Sequence, residues 1–150
     1  MKQSTAIANW KGSGKEGSGK LLTPRSGVIK NKPYDHRSRF EDGALTSPEE
    51  LIAAAHAGCY SMKLSFILGA AGFTPSRIET KCTVTVDSGT ITRSHLEVRA
   101  KVPKLKAKDF PQYAEEAKNT CPVSKALNCE ITLDAQQVKS FKVQPEQPES

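Results

Sequence analysis

Four cysteines carry whatever thiol chemistry this chain can perform: Cys59, Cys82, Cys121 and Cys129. They are separated by 22, 38 and 7 residues, so no C-x-x-C pair exists. That spacing argues against a zinc ribbon, a thioredoxin motif and a secreted disulfide framework, and leaves thiol chemistry in a reducing compartment open. Cys82 and Cys129 fall on the apolar sides of alternating runs, where a buried structural thiol is the common role. Cys59 lies within Ala54-Ala55-His56-Ala57-Gly58-Cys59-Tyr60-Ser61-Met62, whose small side chains either permit close helix packing or leave room for a substrate. Cys121 precedes Pro122 at a helix start, where unpaired amides and the dipole favour a thiolate; the alternative is an ordinary cap residue. By local physics Cys121 is the more acidic thiol, and nothing in the spacing pairs it with Cys59. His56, three residues before Cys59, shares a similar helix face and reads as a packing or lining group rather than a base.

The elements that must position these groups show in caps and periodicity. Residues 47–72 are the clearest. Ser47 stands as N-cap, Pro48 at the first helical position and Glu50 where a capping box needs it. The run ends at Gly69 and Gly72, with Pro75 just beyond. His56, Ser61, Lys63 and Ser65 make this helix too polar to span a membrane. Its apolar residues nonetheless spread around much of the circumference, which calls for burial on several sides. A dimer packed helix against helix provides that burial. Residues 77–87 alternate, with Ile78, Thr80, Cys82, Val84 and Val86 on one face. The turn Asp87-Ser88-Gly89 leads to a second strand with Leu96, Val98, Ala100 and Val102 inward. Ala107–Asn119 predicts an amphipathic helix, Cys121-Pro122-Val123-Ser124 starts a short one, and Cys129, Ile131 and Leu133 alternate in a last strand. Upstream, Ala6–Trp10 and Leu21-Leu22 flank the Gly-rich segment 11–20 as a hairpin. A short strand follows through Gly27-Val28-Ile29, then a turn at Asn31–Pro33. The fold class is α+β.

Composition bounds the rest. At 150 residues, 37% hydrophobic and 25% charged, the chain fits one globular domain, 1–150, with a frayed polar tail over 144–150. Met1-Lys2-Gln3-Ser4-Thr5 lacks the apolar core of a secretory signal, so a cytoplasmic protein is expected. The net charge of +6 is concentrated at the start: residues 1–39 hold nine basic and two acidic residues. One reading is a basic nucleic-acid-binding module with four structural cysteines. A solvated sheet face with lysines guarding its edges accounts for the same charge, and no nucleic-acid motif accompanies it.

Pro48-Glu49-Glu50-Leu51-Ile52 through His56-Ala57-Gly58-Cys59-Tyr60-Ser61-Met62, with Gly72-Phe73-Thr74-Pro75, resembles the OsmC branch of the OsmC/Ohr peroxidase family. So do Cys121-Pro122-Val123-Ser124-Lys125-Ala126-Leu127 with Ile131-Thr132-Leu133, Gly27-Val28, and Pro33-Tyr34 through Arg39-Phe40-Glu41. The resemblance covers roughly residues 5–135. It implies an OsmC/Ohr-like fold in an intertwined homodimer, acting as a thiol-dependent reductase of organic hydroperoxides in oxidative and osmotic stress defence. Cys59 would be the peroxidatic cysteine and Cys121 the resolving one. Arg39, oriented by Glu49, would activate the Cys59 thiolate. An external dithiol, with a lipoylated protein as one candidate, would reduce the resulting disulfide. No cofactor, metal, nucleic acid or membrane is implied. Arg37 is a near twin of Arg39, and strand alternation would put both on one face, so only the family pattern chooses between them. Glu49 and Cys59 lie ten residues apart on one helix, about 15 Å along its axis. Unless the helix kinks near Gly58, Glu49 of one chain is then expected to serve Cys59 of its partner.

Overall fold

The computed structural model describes residues 1–40 and 43–142; Glu41 of the family pattern and the tail 144–150 lie outside the described residues. The chain divides into two compact units, Met1–Ile52 and Ala53 onward.

In the first unit, strands β1 (Ile7–Lys11), β2 (Ser18–Leu22) and β3 (Lys32–Tyr34) form an antiparallel sheet in that order. The expected hairpin is there, in register from Ile7 opposite Leu22 to Lys11 opposite Ser18. Trp10 Nε1 donates to the carbonyls of Gly12 and Ser13, at 3.1 and 3.2 Å, and so ties down the Gly-rich turn. Gly19 sits against the Trp10 and Tyr34 rings, where an added Cβ would come within 2.7 Å of both. The strand expected at Gly27–Ile29 does not form. Thr23 takes up that segment's backbone instead: its N–H donates to Ile29 O, its carbonyl accepts from Gly27, and its hydroxyl accepts from Ile29 N. The turn closes at Asn31, which adopts a left-handed φ of 47°, and β3 has already begun at Lys32. Pro33 is tolerated because β3 is an edge strand. A helix, α1 (His36–Phe40), follows.

Helix α2 (Pro48–Ala70) is the element the N-terminal signals predicted. The Ser47 hydroxyl accepts the Glu50 amide at 3.1 Å, but the Glu50 carboxylate turns to the Thr46 hydroxyl, so only half of the capping box forms. At the other end Phe73 N–H reaches Leu68 O and Gly72 N–H reaches Gly69 O, with Gly72 at φ 91°. This closure needs a left-handed residue, which glycine supplies without strain. The helix is unbroken through Gly58.

From Ala53 onward the chain builds the main core. β4 (Arg77–Asp87) pairs antiparallel with β5 (Thr90–Lys101), and β5 pairs parallel with β6 (Glu130–Gln137). A parallel neighbour requires a crossover, and α3 (Phe110–Thr120) with α4 (Pro122–Ala126) supplies it. Pro111 in its first turn sets the start of α3 three residues later than expected. β5 is the central strand, and Leu96, Val98, Ala100 and Val102 are buried as the alternation predicted. Against them pack Tyr60, Leu64 and Leu68 of α2 and Phe110, Ala114 and Ala117 of α3. The Tyr60 hydroxyl donates to Ala114 O at 3.0 Å, so its burial leaves no polar atom stranded.

Two expectations about α2 change here. Its best 18-residue stretch has a mean hydropathy of 1.4, enough by composition to cross a bilayer, so its polar residues do not exclude that. Packing gives it another role: His56, Tyr60, Leu64 and Leu68 form a buried stripe at four-residue spacing. Within one chain only that stripe is fully buried, while Met62 and Phe66 remain 63% and 71% exposed.

Candidate active site

Cys121 ends one helix and starts the next. Its N–H donates to Ala117 O at the close of α3, and its carbonyl accepts from Lys125 in the first turn of α4. The thiol caps nothing. It is fully buried, and the Cys121 thiol and the Val123 backbone are both near enough to the half-buried Cys59 thiol on α2 to shift its pKa. Residues 62 positions apart thus meet, and all four cysteines are free thiols. Burial and the contact with Cys121 push the Cys59 thiol above its ordinary pKa, while the Val123 amide and the Lys63 ammonium pull it down. The position of Cys121 in the sequence predicts that its thiol takes the amides at the start of α4; that thiol caps none of them, and the Val123 amide influences Cys59 instead.

The first unit holds the other pair. Arg39 Nε donates to Glu49 Oε1 at 2.7 Å. The Glu49 side chain is 9% exposed and that of Arg39 42%. Oε2 of Glu49 is buried with no partner among the described residues. With Glu50 occupied at the cap, Glu49 is free for this bond. Arg37 and Arg39 do not lie on a strand, as alternation had suggested. Asp35 caps α1 by accepting the Ser38 amide at 2.9 Å, a bond that holds its carboxyl below the ordinary range. On a helix, residues two apart point about 200° apart, so only Arg39 faces Glu49. Asp35 followed by Ser38 was the signal for that turn. Arg39 also lines a cavity of about 120 Å³ walled by Trp10, Tyr34, Phe40 and Pro48.

Cys82 and Cys129 differ from the expected buried, inert thiols. Both are half-buried, and Cys129 lies just before β6. Cys82 joins a polar cluster that sequence reasoning missed. His56 is wholly buried, with Nδ1 2.6 Å from Ser94 Oγ on β5 and Nε2 2.7 Å from Ser124 Oγ on α4. Cys82 Sγ lies 3.2 Å from the same Ser94 hydroxyl. Burial lowers the pKa of His56 and raises that of Cys82, so both are uncharged near neutrality. Extending the β5 alternation back from Leu96 would have found Ser94 as an inward polar residue.

A family model described as OsmC-like protein matches residues 41–136. Peroxiredoxin OsmC of Escherichia coli K12 is 47% identical over 133 residues, covering 86% of this chain and 92% of that protein. Among solved structures, an OsmC-like protein from Vibrio cholerae superposes with a TM-score of 0.70 at 13% identity, covering 90% of this chain and 99% of its own. The organic hydroperoxide resistance protein OhrB of Bacillus subtilis gives 0.62 at 20% identity, covering 89% and 98%. At these identities the two structures speak to the fold.

Proposed function

The chain belongs to the OsmC family of cysteine-based peroxidases, and on that premise we propose that it reduces organic hydroperoxides through Cys59, with Cys121 as the resolving thiol. What carries the assignment is that these two free thiols, 62 positions apart in the chain, are close enough for Cys121 to shift the Cys59 pKa. The Cys59 thiolate attacks the terminal oxygen of the hydroperoxide. The O–O bond breaks, an alkoxide leaves and takes up a proton as the alcohol, and Cys59 becomes a sulfenic acid. The Cys121 thiol then attacks that sulfur, forming the disulfide and releasing water. A dithiol reduces the disulfide by exchange; a lipoylated protein is our candidate for it, in the reducing cytoplasm.

Arg39 supplies the cation that thiolate and alkoxide require. Its bond to Glu49 uses Nε, and the terminal nitrogens have no carboxylate partner among the described residues. The aromatic walls beside Arg39 suit an alkyl group, so cumene hydroperoxide should be reduced with higher kcat/KM than hydrogen peroxide. We assign the site to a homodimer. α2 is continuous, so Glu49 and Cys59 of one chain are about 15 Å apart along it, and antiparallel pairing of two such helices would bring Glu49 of one to Cys59 of the other. The exposed Met62 and Phe66 give that helix an apolar face to pair through.

Thiol titration tests the chemistry: cumene or t-butyl hydroperoxide should consume two thiols per chain and no more. Loss of four, or of none, overturns the assignment. Mixing Glu49→Ala with Cys59→Ser subunits tests the sharing. Recovered activity supports it, and no recovery after verified subunit exchange would put both residues to work within one chain.

A further inference from the structure

The peroxidase reading gives no task to the buried cluster around His56, yet that cluster touches both cysteine-bearing segments. His56 lies one turn before Cys59 on α2, and its Nε2 bonds Ser124, three residues after Cys121 on α4. The other nitrogen is anchored through Ser94 to the central strand β5. One direction of donation satisfies the whole chain of groups: Cys82 S–H to Ser94, Ser94 O–H to His56 Nδ1, and His56 Nε2–H to Ser124. The imidazole is therefore a strut of fixed length between the core and α4.

That strut matters because, of the side chains of α4, only Val123 packs against the core. The helix is five residues long and contains no fully buried side chain. Pro122, Lys125 and Ala126 are exposed, and Val123 and Ser124 are half-buried. Yet this short helix follows directly on Cys121, and its Val123 amide is among the groups that lower the Cys59 pKa. Disulfide formation needs the two sulfurs held in line, and a shift on the order of 1 Å can cost about a hundredfold in such a step.

We propose that His56 is a positioning residue for the resolving step: through Ser124 it holds α4 so that Cys121 meets the sulfenic acid on Cys59 before a second hydroperoxide does. The proposal rests on the peroxidase reading. It predicts that the two halves of the reaction respond differently. Attack on the hydroperoxide uses neither Cys121 nor Ser124 as a reactant, so the first step changes far less than the second. Resolution, which needs Cys121 itself, slows, and over-oxidation of Cys59 to sulfinic acid rises.

The two nitrogens can be separated by substitution. His56→Gln keeps an amide donor where Nε2 stood and so keeps the bond to Ser124. His56→Asn reaches only Ser94. Ser124→Ala removes the same bond from the half-buried side of α4, where folding is least at risk. Single-turnover reactions with cumene hydroperoxide would follow alcohol release for the first step, and disulfide against sulfinic acid by mass spectrometry for the second. The expected result is an alcohol-release rate within about threefold of wild type throughout, with sulfinic acid per turnover raised about tenfold or more in Ser124→Ala and His56→Asn. His56→Gln should stay near wild type. Wild-type partitioning in Ser124→Ala overturns the proposal, as does equal damage from His56→Gln and His56→Asn in folded protein. If wild-type protein itself forms no Cys59–Cys121 disulfide, the peroxidase assignment fails instead.

Discussion

From Ala53 onward, Tyr60, Leu64, Leu68, Leu96, Phe110 and Cys121 are each at most 1% exposed, and the thiol pair is assembled on that core. Between Met1 and Ile52 only Gly19 and Glu49 are buried among the described residues, and every residue of β1 is exposed. One unit thus holds Cys59 and Cys121 against a packed interior. The other carries the Arg39–Glu49 pair between α1 and the start of α2, beside a thin sheet and a loop whose apolar Val28 is 79% exposed. The difference separates two tasks. Bringing two sulfurs together needs a rigid core, whereas holding a guanidinium needs only a buried carboxylate beside it.

The sharpest challenge to this contrast is substitution at the sulfurs. Cys59→Ser should lower peroxide reduction on the order of a thousandfold or more, because serine forms no alkoxide near neutral pH. Cys121→Ser should keep one turnover and then over-oxidise. Full multi-turnover activity in Cys59→Ser would transfer the nucleophile's role to Cys121. Next comes stability, read by urea unfolding. Leu64→Ala in the core should cost about 2–5 kcal/mol, whereas Val28→Ala should stay within about 0.5 kcal/mol. A comparable loss at Val28, with a Tm that depends on protein concentration, would show that a partner covers the first unit.

Glu49→Gln should separate activity from stability. Losing the carboxylate that steers Arg39 should lower kcat/KM about ten- to a hundredfold. The exposure of Arg39 keeps the stability loss to about 1 kcal/mol or less. A loss of several kcal/mol would mean the pair props up the sheet. A subtler test is the pH dependence of Cys59 alkylation. Burial and Cys121 raise this thiol's pKa. On the shared site proposed above, Arg39→Gln removes a cation near this thiol, so the alkylation midpoint should move to higher pH; an unchanged midpoint would argue that Arg39 acts on the leaving alkoxide alone. The smallest effect concerns His56, faced by the uncharged Ser94, Ser124 and Cys82. Burial holds its folded pKa below the ordinary 6.5. As pH falls through 6.5 the unfolded chain takes up a proton that the folded chain refuses, so stability present above that pH declines below it. His56→Gln should flatten that part of the stability curve.

What the sequence determined by itself was decided within a few residues. Ser47-Pro48 and Gly72 bound α2, and strict alternation with Ser88-Gly89 set the β4–β5 hairpin, because caps, turns and side-chain period are local. The family pattern supplied Cys59, Cys121, Arg39 and Glu49, but no local signal paired them. The family pattern had already favoured Arg39 over Arg37, and the tertiary structure supplies the physical reason by folding α1 where alternation suggested a strand. The tertiary structure alone brought Cys121 and the Val123 amide near Cys59. It alone joined His56 to Ser94 and Ser124, residues 38 and 68 positions away. Contacts at such separations leave no periodicity to read. They exist because burying α2 against β5 strands an imidazole in the core, and a buried polar group must find its partners wherever the chain has brought them.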